Sequence, residues 1–387
     1  MVAAVLSLVL LPAQSLRLNG IEAERKTRPP HVESDEAPSI ERAFNERTGR
    51  RVLKPLDDGW YGFRLKLGGI TPGSGIAAGP EFVHRGSRAT FRTSARHSVI
   101  GYQTFDGELA LPYLAGERAF ANALYVHRSL PRMPYYGAGP NSREDDRANY
   151  HLKDSSFELT VGVGPVENFR IGAVGGWLHA NVGQGRDARY PSVLALFGQP
   201  AIGLTSAQAD YATAGAFLEY DTTDVPGSPR GGGDYSLRVT KYGGSHNRVD
   251  VRAQHYLPFF SRQRVIALRA WSAFTDAPAE RAVPFYLQPT LGGPDTLRGY
   301  NAYRFHDNNS LLLNAEYRWK ISSGIDMAVF TDQGKVFPRM SELNFREWKS
   351  SYGAGVRLNT RQNVFMRVDF GCGGEGCAVW LRFNNVY

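Results

Sequence analysis

Two neighbouring stretches decide the fold of this chain: residues 292–300 read GGPDTLRGY, and residues 311–319 read LLLNAEYRW. In the second stretch apolar and polar residues alternate, so a strand would carry five apolar side chains on one face, namely Leu311, Leu313, Ala315, Tyr317 and Trp319. Its other face would carry Asn314, Glu316 and Arg318. Such a strand is typical of a barrel wall with lipid on one side and a wet lumen on the other. The glycine-rich stretch before it predicts a long loop that folds back into that lumen.

The same strand pattern continues through the chain from Gly59 onward. About sixteen strands are predicted, an even number as in bacterial outer-membrane barrels. Their expected starts lie near Trp60, Gly75, Ala89, Tyr102, Ala119, Tyr150, Asn168, Ala207, Asp234, Arg248, Gln263, Ser310, Gly324, Ser351, Asn363 and Cys377. The sequence therefore predicts an all-β fold, a transmembrane antiparallel β-barrel with a long loop in its lumen.

The spacing between the predicted strands supports this architecture. Three connections are short and predict periplasmic turns: 164–167, 322–324 and 360–362. Four are long and predict extracellular loops: 131–149, 181–206, 275–309 and 333–350. The alternative is a soluble array of β-sandwiches, whose strands bury one face in a core and rarely carry regular arginines on the other.

Charge and hydropathy bound the class of protein. The formal net charge is +8, which raises nucleic-acid binding as a possibility. The arginines are spread singly along strands and form no patch, so we expect no nucleic-acid partner and place them toward a lumen or anionic lipid: Arg64, Arg92, Arg170, Arg238, Arg252, Arg269, Arg318, Arg357, Arg367 and Arg382. After the N-terminus no apolar run reaches the ~18 residues of a transmembrane helix, but alternating barrel strands escape that test.

The first 58 residues differ from the rest. Residues 1–15 are apolar and end in the small-x-small sequence Ala13-Gln14-Ser15, which predicts a signal peptide; the alternative is a buried N-terminal strand or helix. Residues 16–58 predict a polar tail with one short helix from Ser39 to Arg47. Residues 59–387 form the predicted barrel domain.

Two motifs carry a family resemblance. The loop tip Gly292-Gly293 and Leu297-Arg298-Gly299-Tyr300 is followed by Phe330-Thr331-Asp332-Gln333-Gly334, a Phe-x-Asp-x-Gly motif in the next predicted strand but one. In this order and spacing the chain resembles the bacterial surface antigen barrel of the BamA/TamA family. The region Tyr135-Tyr136-Gly137-Ala138-Gly139-Pro140-Asn141 also resembles that family's third loop, although aromatic-glycine turns are common in all barrels.

The resemblance implies a latch. The loop-tip Arg298 would enter the lumen and pair with Asp332 and with Glu316 on the intervening strand. Strand parity turns both acids inward, and a charge-assisted Arg–carboxylate contact can offset the entropy lost when a long loop is ordered. The alternative is an ordinary turn at residues 292–295 with Arg298 in solvent.

The resemblance also implies a location and a role. It predicts a protein of the outer membrane, in contact with its lipid, that inserts or translocates proteins or lipids and handles client polypeptides. Residues 17–55 are too short for one of the periplasmic POTRA repeats that usually precede this barrel, so a separate periplasmic partner is expected. A weak seam between first and last strands is implied as well, and Gly62, Gly68 and Gly69 would weaken the first strand.

The C-terminal region carries two further features. The predicted last strand, Val379–Tyr387, places Phe383 and Tyr387 on its apolar face and resembles the assembly signal of outer-membrane barrels, although Asn385 interrupts the pattern. Cys372 and Cys377 flank a predicted hairpin tip. Two free thiols are the simpler interpretation, but in an exported chain with two cysteines a disulfide is favoured. A metal site is not expected, because no further ligands lie nearby in sequence.

Two alternative functions fit the sequence less well. A barrel lipase or protease would need nucleophile and base groups clustered at the rim, yet the histidines are scattered and no Gly-x-Ser-x-Gly elbow occurs. A simple diffusion pore would lack the paired loop-tip arginine and Phe-x-Asp-x-Gly motif. We therefore expect no enzymatic activity and no cofactor.

Overall fold

A computed structural model describes residues 61–383, with gaps at 116–117, 200–202, 204–205, 226, 279–281, 323, 345 and 360–363. Sixteen strands form one antiparallel sheet that curves into a nearly closed barrel, as predicted from the sequence. Two more strands pair with each other in a loop. In chain order the strands are β1 (Phe63–Gly68), β2 (Ala77–Arg85), β3 (Thr90–Ser98), β4 (Gln103–Leu114), β5 (Ala119–Tyr135), β6 (Ala148–Val166), β7 (Phe169–Gln184), β8 (Gln208–Asp221), β9 (Gly232–Tyr242), β10 (His246–Phe259), β11 (Arg264–Asp276), β12 (Thr290–Leu291), β13 (Phe305–His306), β14 (Asn309–Ser322), β15 (Ile325–Phe337), β16 (Lys349–Asn359), β17 (Val364–Gly373) and β18 (Gly376–Phe383).

The strands of the wall follow one another in sequence order. Each pairs with its neighbours, and β11 pairs directly with β14, so that β12 and β13 lie outside the wall. Within the described residues no ladder of hydrogen bonds joins β1 to β18, which leaves a seam between the first and last strands. Long connections cluster at one end of the barrel, and by the rule for outer-membrane barrels that end is extracellular.

Side-chain polarity separates the two faces of the wall. On β14, Leu313 is 43% exposed on the outer face, whereas Glu316 on the inner face is buried. All ten arginines that the sequence places singly along strands lie on inward-facing positions. Of the two locations expected for them, the lumen is therefore the one observed. There they meet carboxylates, as in the ion pair between Arg238 Nη2 and Glu158 Oε2 at 2.6 Å.

The predicted strand starts agree with the structure to within three residues, the largest difference being Trp60 against Phe63. Some predicted loop bounds were wrong because strands extend into them. β5 continues to Tyr135 and β15 to Phe337, beyond the loop starts expected at 131 and 333. The turn expected at 164–167 is also shorter, since β6 runs to Val166. Paired strands can extend past the bilayer, because the hydrogen bonds between them satisfy their backbone N–H and C=O groups whether lipid or water surrounds them.

Several predictions fall outside the described residues. These are the signal peptide at 1–15, the polar tail at 16–58 and the terminal Tyr387. The only α-helix in the described part of the chain is α1 (Val193–Phe197), a single turn whose N-cap Ser192 accepts a hydrogen bond from the Ala195 backbone amide. No helix among these residues is long and apolar enough to span a membrane.

The described residues between β11 and β14, 277–278 and 282–308, form a plug loop inside the barrel. The loop contains a 3₁₀ turn at Phe285–Leu287 and the small ladder of β12 with β13. Leu291, Leu297 and Phe305 of the loop are buried together with wall residues such as Trp271. The sequence-based expectation of a long loop folded into the lumen is therefore confirmed.

Candidate functional site: the latched plug loop

The tip of the plug loop is a tight turn that needs two glycines. Gly292 and Gly293 have φ angles of +111° and +102°, a region that side chains with a Cβ rarely adopt. A Cβ at position 292 would also lie 2.4 Å from the carbonyl oxygen of Asn301. The Gly293 amide donates to the carbonyls of Leu297 and Tyr300, both at 3.1 Å. The turn thereby fixes the direction in which Arg298 leaves the tip.

Arg298 contacts both acids that the sequence singled out. Its Nη2 lies 2.6 Å from Asp332 Oδ1, and its Nε lies 3.0 Å from Asp332 Oδ2. Its Nη1 lies 2.8 Å from Glu316 Oε2. All three side chains are buried, so solvent screens these contacts far less than it screens surface ion pairs. The bidentate contact to Asp332 uses the planar fork of the guanidinium, which a lysine lacks.

Asp332 is also held by groups on both neighbouring strands, β14 and β16. Asn314 Nδ2 donates to its Oδ1 at 2.8 Å, and Ser351 Oγ donates to its Oδ2 at 2.9 Å. The backbone amide of Arg298 adds a third contact at 3.1 Å. The Asn314 and Ser351 donors belong to the wall and orient the carboxylate before the arginine arrives, so less entropy is lost when the loop docks.

Glu316 belongs to a larger charge network in the wall. Its Oε1 lies 2.6 Å from Arg318 Nε and 2.7 Å from Arg357 Nη2, while its Oε2 faces Arg298. One carboxylate is thus shared by three guanidinium groups. A single carboxylate cannot compensate the charge of three guanidinium groups, so a second acidic residue is needed there.

That second acid is Asp369, which the sequence analysis did not identify. Its Oδ2 lies 2.5 Å from Arg367 Nε and 4.0 Å from Arg298 Nη1, and its Oδ1 lies 3.4 Å from Arg357 Nη2. Its inward parity beside Arg367 on β17 is the signal that could have identified it. The latch is therefore one buried network spanning β14 to β17.

The remaining residues of the Phe-x-Asp-x-Gly motif make room for the loop. The Arg298 guanidinium lies over the Phe330 ring, 3.3 Å from its centroid, in a cation–π contact. At Gly334 a Cβ would approach Leu291 Cδ1 to 2.9 Å and Leu297 Cδ2 to 3.3 Å. Phe330 therefore supports the arginine, and Gly334 leaves space for the apolar side of the loop tip.

The loop tip also rests on the last hairpin, β17–β18. Gly299 packs so closely that a Cβ there would lie 2.3 Å from the carbonyl carbon of Cys372. The indole Nε1 of Trp380 donates to the carbonyl of Arg298 at 2.8 Å, and the amide of Gly374 donates to the hydroxyl of Tyr300 at 3.0 Å.

Two arginines of the last hairpin reach the residues just before the tip. Arg382 forms an ion pair with Asp295, and Arg367 Nη2 donates to the carbonyl of Pro294 at 2.9 Å. Both arginines were expected to face a lumen or anionic lipid, and these contacts were not predicted. The plug loop thus braces β17 and β18, the strands that form one side of the seam.

A second arginine, Arg304, ties the plug loop to the extracellular rim. Its Nε lies 2.7 Å from Glu375 Oε2, at the tip of the last hairpin. Its Nη1 and Nη2 donate to the hydroxyl and carbonyl of Ser142 at 2.9 and 2.6 Å. The guanidinium also lies over the ring of Tyr136, which belongs to the predicted third-loop region. Arg304 therefore joins three extracellular connections at one point.

The cysteines lie beside these contacts. Cys372 and Cys377 form a disulfide that joins opposed residues of β17 and β18. Within the described residues no group of three or more potential ligands is placed to hold a metal ion. Phe383 ends β18, and the proposed C-terminal assembly signal stays a prediction because Tyr387 lies outside the described residues.

The disulfide is expected to protect both thiols and to add modest stability. A thiol reagent applied to unreduced cells should label neither cysteine, and prior reduction should expose both. Replacing both with serine should keep the heat-modifiable gel mobility of a folded barrel, because closing so short a loop contributes only about 2 kcal/mol. Full labelling without reductant would contradict this pairing.

Solved structures of other proteins share this architecture. The fold is similar to that of BamA from Haemophilus ducreyi lacking POTRA domains 1–3, with a TM-score of 0.63 and 13% identity over 84% of this chain and 70% of that chain. It is also similar to CdiB from Escherichia coli, with a TM-score of 0.54 and 15% identity over 82% of this chain. This chain covers only 61% of that CdiB structure. At such identities the likeness shows the fold alone.

Sequence comparison supplies the family. No curated protein matches the chain in sequence. The Omp85 superfamily domain matches residues 83–372, which include the plug loop, the three acids of the latch and most of the wall. With the sixteen-stranded barrel and the latched loop, this match shows that the chain belongs to the Omp85 superfamily and is a protein of the outer membrane.

Proposed function

We propose that this barrel inserts or translocates polypeptides at the outer membrane, together with a separately encoded periplasmic partner. The observation that carries the proposal is the position of the latched plug loop, which braces one side of an unpaired seam. A barrel whose edges meet without a ladder presents backbone donors and acceptors to which another strand can add. The seam therefore offers a template for a client strand.

The two sides of the seam are supported unequally. On one side, β18 is held from within by the contacts of Trp380 and Arg382 with the loop tip. On the other side, β1 is a six-residue strand paired with β2, and Gly62 at its start has a φ of +88°. Short strands with glycine at their ends lose little on separation. We therefore assign the moving edge to β1.

The plug loop argues against a simple diffusion pore. Its residues Leu291, Leu297 and Phe305 pack into a buried cluster with the wall, and Arg298 fills the space between β14 and β17. A permanent open channel would need this buried network to be broken.

Lipid is the second candidate cargo, since an opened seam faces the bilayer. The proposal includes no catalytic step, and the absence of enzymatic activity stays a prediction.

A photo-crosslinking amino acid at Leu65 of β1 tests the proposal in the native membrane. Leu65 is 46% exposed on the outer face, and the matched control is Leu159 of β6, which is 43% exposed on a wall strand away from the seam. We expect crosslinks at position 65 to other outer-membrane polypeptides, identified by mass spectrometry, at several times the yield at position 159. Equal yields at both positions would contradict client handling at the seam. Crosslinks to lipid alone would reassign the cargo.

A further inference from the structure

The outer face of β6 shows where the hydrocarbon layer ends. Its outward side chains are apolar from Phe157, which is 44% exposed, to Val166, which is 66% exposed. Nine residue steps in a strand span about 30 Å. At the usual tilt this distance covers about 25 Å along the membrane normal, the height of the apolar band of an outer-membrane barrel. Phe157 therefore marks the extracellular edge of that band.

On the neighbouring strands, the outward side chains change from aromatic to polar at the same level. Tyr125, Phe157 and Trp177 are register partners on β5, β6 and β7 and form an outward aromatic row. The next row toward the extracellular side is polar and consists of His127, Ser155, His179 and Asp210. Its members pair with one another, with His127 Nδ1 at 2.8 Å from Ser155 Oγ and His179 Nδ1 at 3.0 Å from Asp210 Oδ1. This row lies at the headgroup level of the outer leaflet.

Three cations lie just above this polar row. Arg132 of β5, Lys153 of β6 and Arg186 of the following extracellular loop all have exposed side chains. Arg186 is held beside β5 because its backbone amide donates to the carbonyl of Pro131 at 2.8 Å. The charges of Lys153 and Arg186 both act on the ring of His151, the neighbour of Lys153 on the same face. The three side chains therefore form one basic cluster on the outward surface.

Among the described residues, no acidic side chain pairs with the positive charges of this basic cluster. In the part of the chain that the structure describes, no carboxylate lies within 4.0 Å of Arg132, Lys153 or Arg186. The nearby acids are already engaged, since Asp154 pairs with Arg128 and Asp187 with Arg189. Lumen arginines, by contrast, face carboxylates. An outward cation cluster at headgroup level attracts an anion from outside the chain.

We propose that Arg132, Lys153 and Arg186 bind the phosphate groups of a phosphorylated lipid in the outer leaflet. The acyl chains would lie along the apolar face below Phe157, and the phosphates would meet the three cations, which are the donors suited to phosphate oxygens. Free phosphate would contact the three cations but would have no acyl chains to lie along the apolar face. This site lies outside the seam and the plug loop, so it is independent of the proposed client handling.

Native mass spectrometry of the full chain in detergent tests the site, with bisphosphorylated lipid A as the probe. The variant carries Arg132→Gln, Lys153→Gln and Arg186→Gln. Each basic residue at an anionic membrane surface contributes about five-fold in binding, so we expect the triple variant to bind about 100-fold more weakly. Lipid A without phosphates should bind the wild type no better than it binds the variant. Inorganic phosphate at the same concentration should not displace the lipid.

A matched control removes three cations elsewhere. Arg88→Gln, Arg118→Gln and Arg264→Gln change exposed residues at the periplasmic end and lower the net charge equally. This control should bind lipid A as the wild type does; an equal loss would show unspecific charge attraction and overturn the proposal. Displacement by inorganic phosphate, or undiminished binding of the dephosphorylated lipid, would also overturn it. If the triple variant does not fold, Lys153→Gln and Arg186→Gln singly should each lower binding about five-fold.

Discussion

Replacing Arg298 with alanine is expected to release the plug loop while the barrel wall stays folded. The change removes the guanidinium that lies between Asp332 and Glu316 and leaves two buried carboxylates with fewer partners. Breaking a buried ion pair by deleting one partner costs about 3–5 kcal/mol. Limited proteolysis in detergent should then cut within residues 277–308, mapped by mass spectrometry, while circular dichroism keeps its strand signal.

Two further variants test whether the effect depends on the guanidinium group of Arg298. Arg298→Lys should protect the loop only in part, because an ammonium cannot form the bidentate contact to Asp332. Arg339→Ala removes an exposed arginine from the extracellular connection between β15 and β16 and should leave cleavage of the plug loop unchanged. A plug loop as resistant in Arg298→Ala as in the wild type would mean that the latch does not hold it.

Replacing Gly299 with valine is expected to displace the loop tip from the last hairpin. Even the Cβ would lie 2.3 Å from the Cys372 backbone, and backbone cannot move aside as a flexible side chain can. Overpacking typically costs about 1–3 kcal/mol, and a contact with paired strand backbone belongs at the upper end of that range. Hydrogen exchange should rise at the tip and at β17–β18, where the Trp380 indole loses its acceptor.

Gly107→Val is the matched control for this change. Gly107 lies on β4 with no atom within 4 Å of a Cβ built there, and valine suits an outward strand position. Exchange in the plug loop should stay at the wild-type level in this variant. Unchanged exchange at β17–β18 in Gly299→Val would show that the loop tip does not brace the last hairpin.

Most of the barrel could be predicted from sequence because strand parity is a local property. On β14, Leu313 and Glu316 take opposite faces whatever the rest of the chain does, and a slip of one residue would place a charge in lipid. The latch was implied by the resemblance of the loop tip and of the Phe-x-Asp-x-Gly motif to the BamA/TamA family, and strand parity added that both acids face inward. In both cases the signal lies within about one hairpin.

The docking of the plug loop could not be predicted from such local signals. The contact of Trp380 with the Arg298 carbonyl joins residues 82 apart, and the contact of Arg304 with Ser142 joins residues 162 apart. They depend on barrel closure, which brings β17–β18 beside the loop. The ends of β5 and β15 were missed for a related reason: their pairing above the membrane depends on partner strands and not on local hydrophobic pattern.

The expected arrangement in the membrane has the plug loop inside the barrel, latched by Arg298 and seated against the last hairpin beside an unpaired seam. A high-resolution density map of the full chain in lipid nanodiscs tests it most directly. We expect the Arg298 guanidinium within hydrogen-bond distance of both Asp332 and Glu316, with the Trp380 indole at the Arg298 carbonyl. Density for residues 277–308 outside the lumen, or a continuous ladder between β1 and β18, would contradict it.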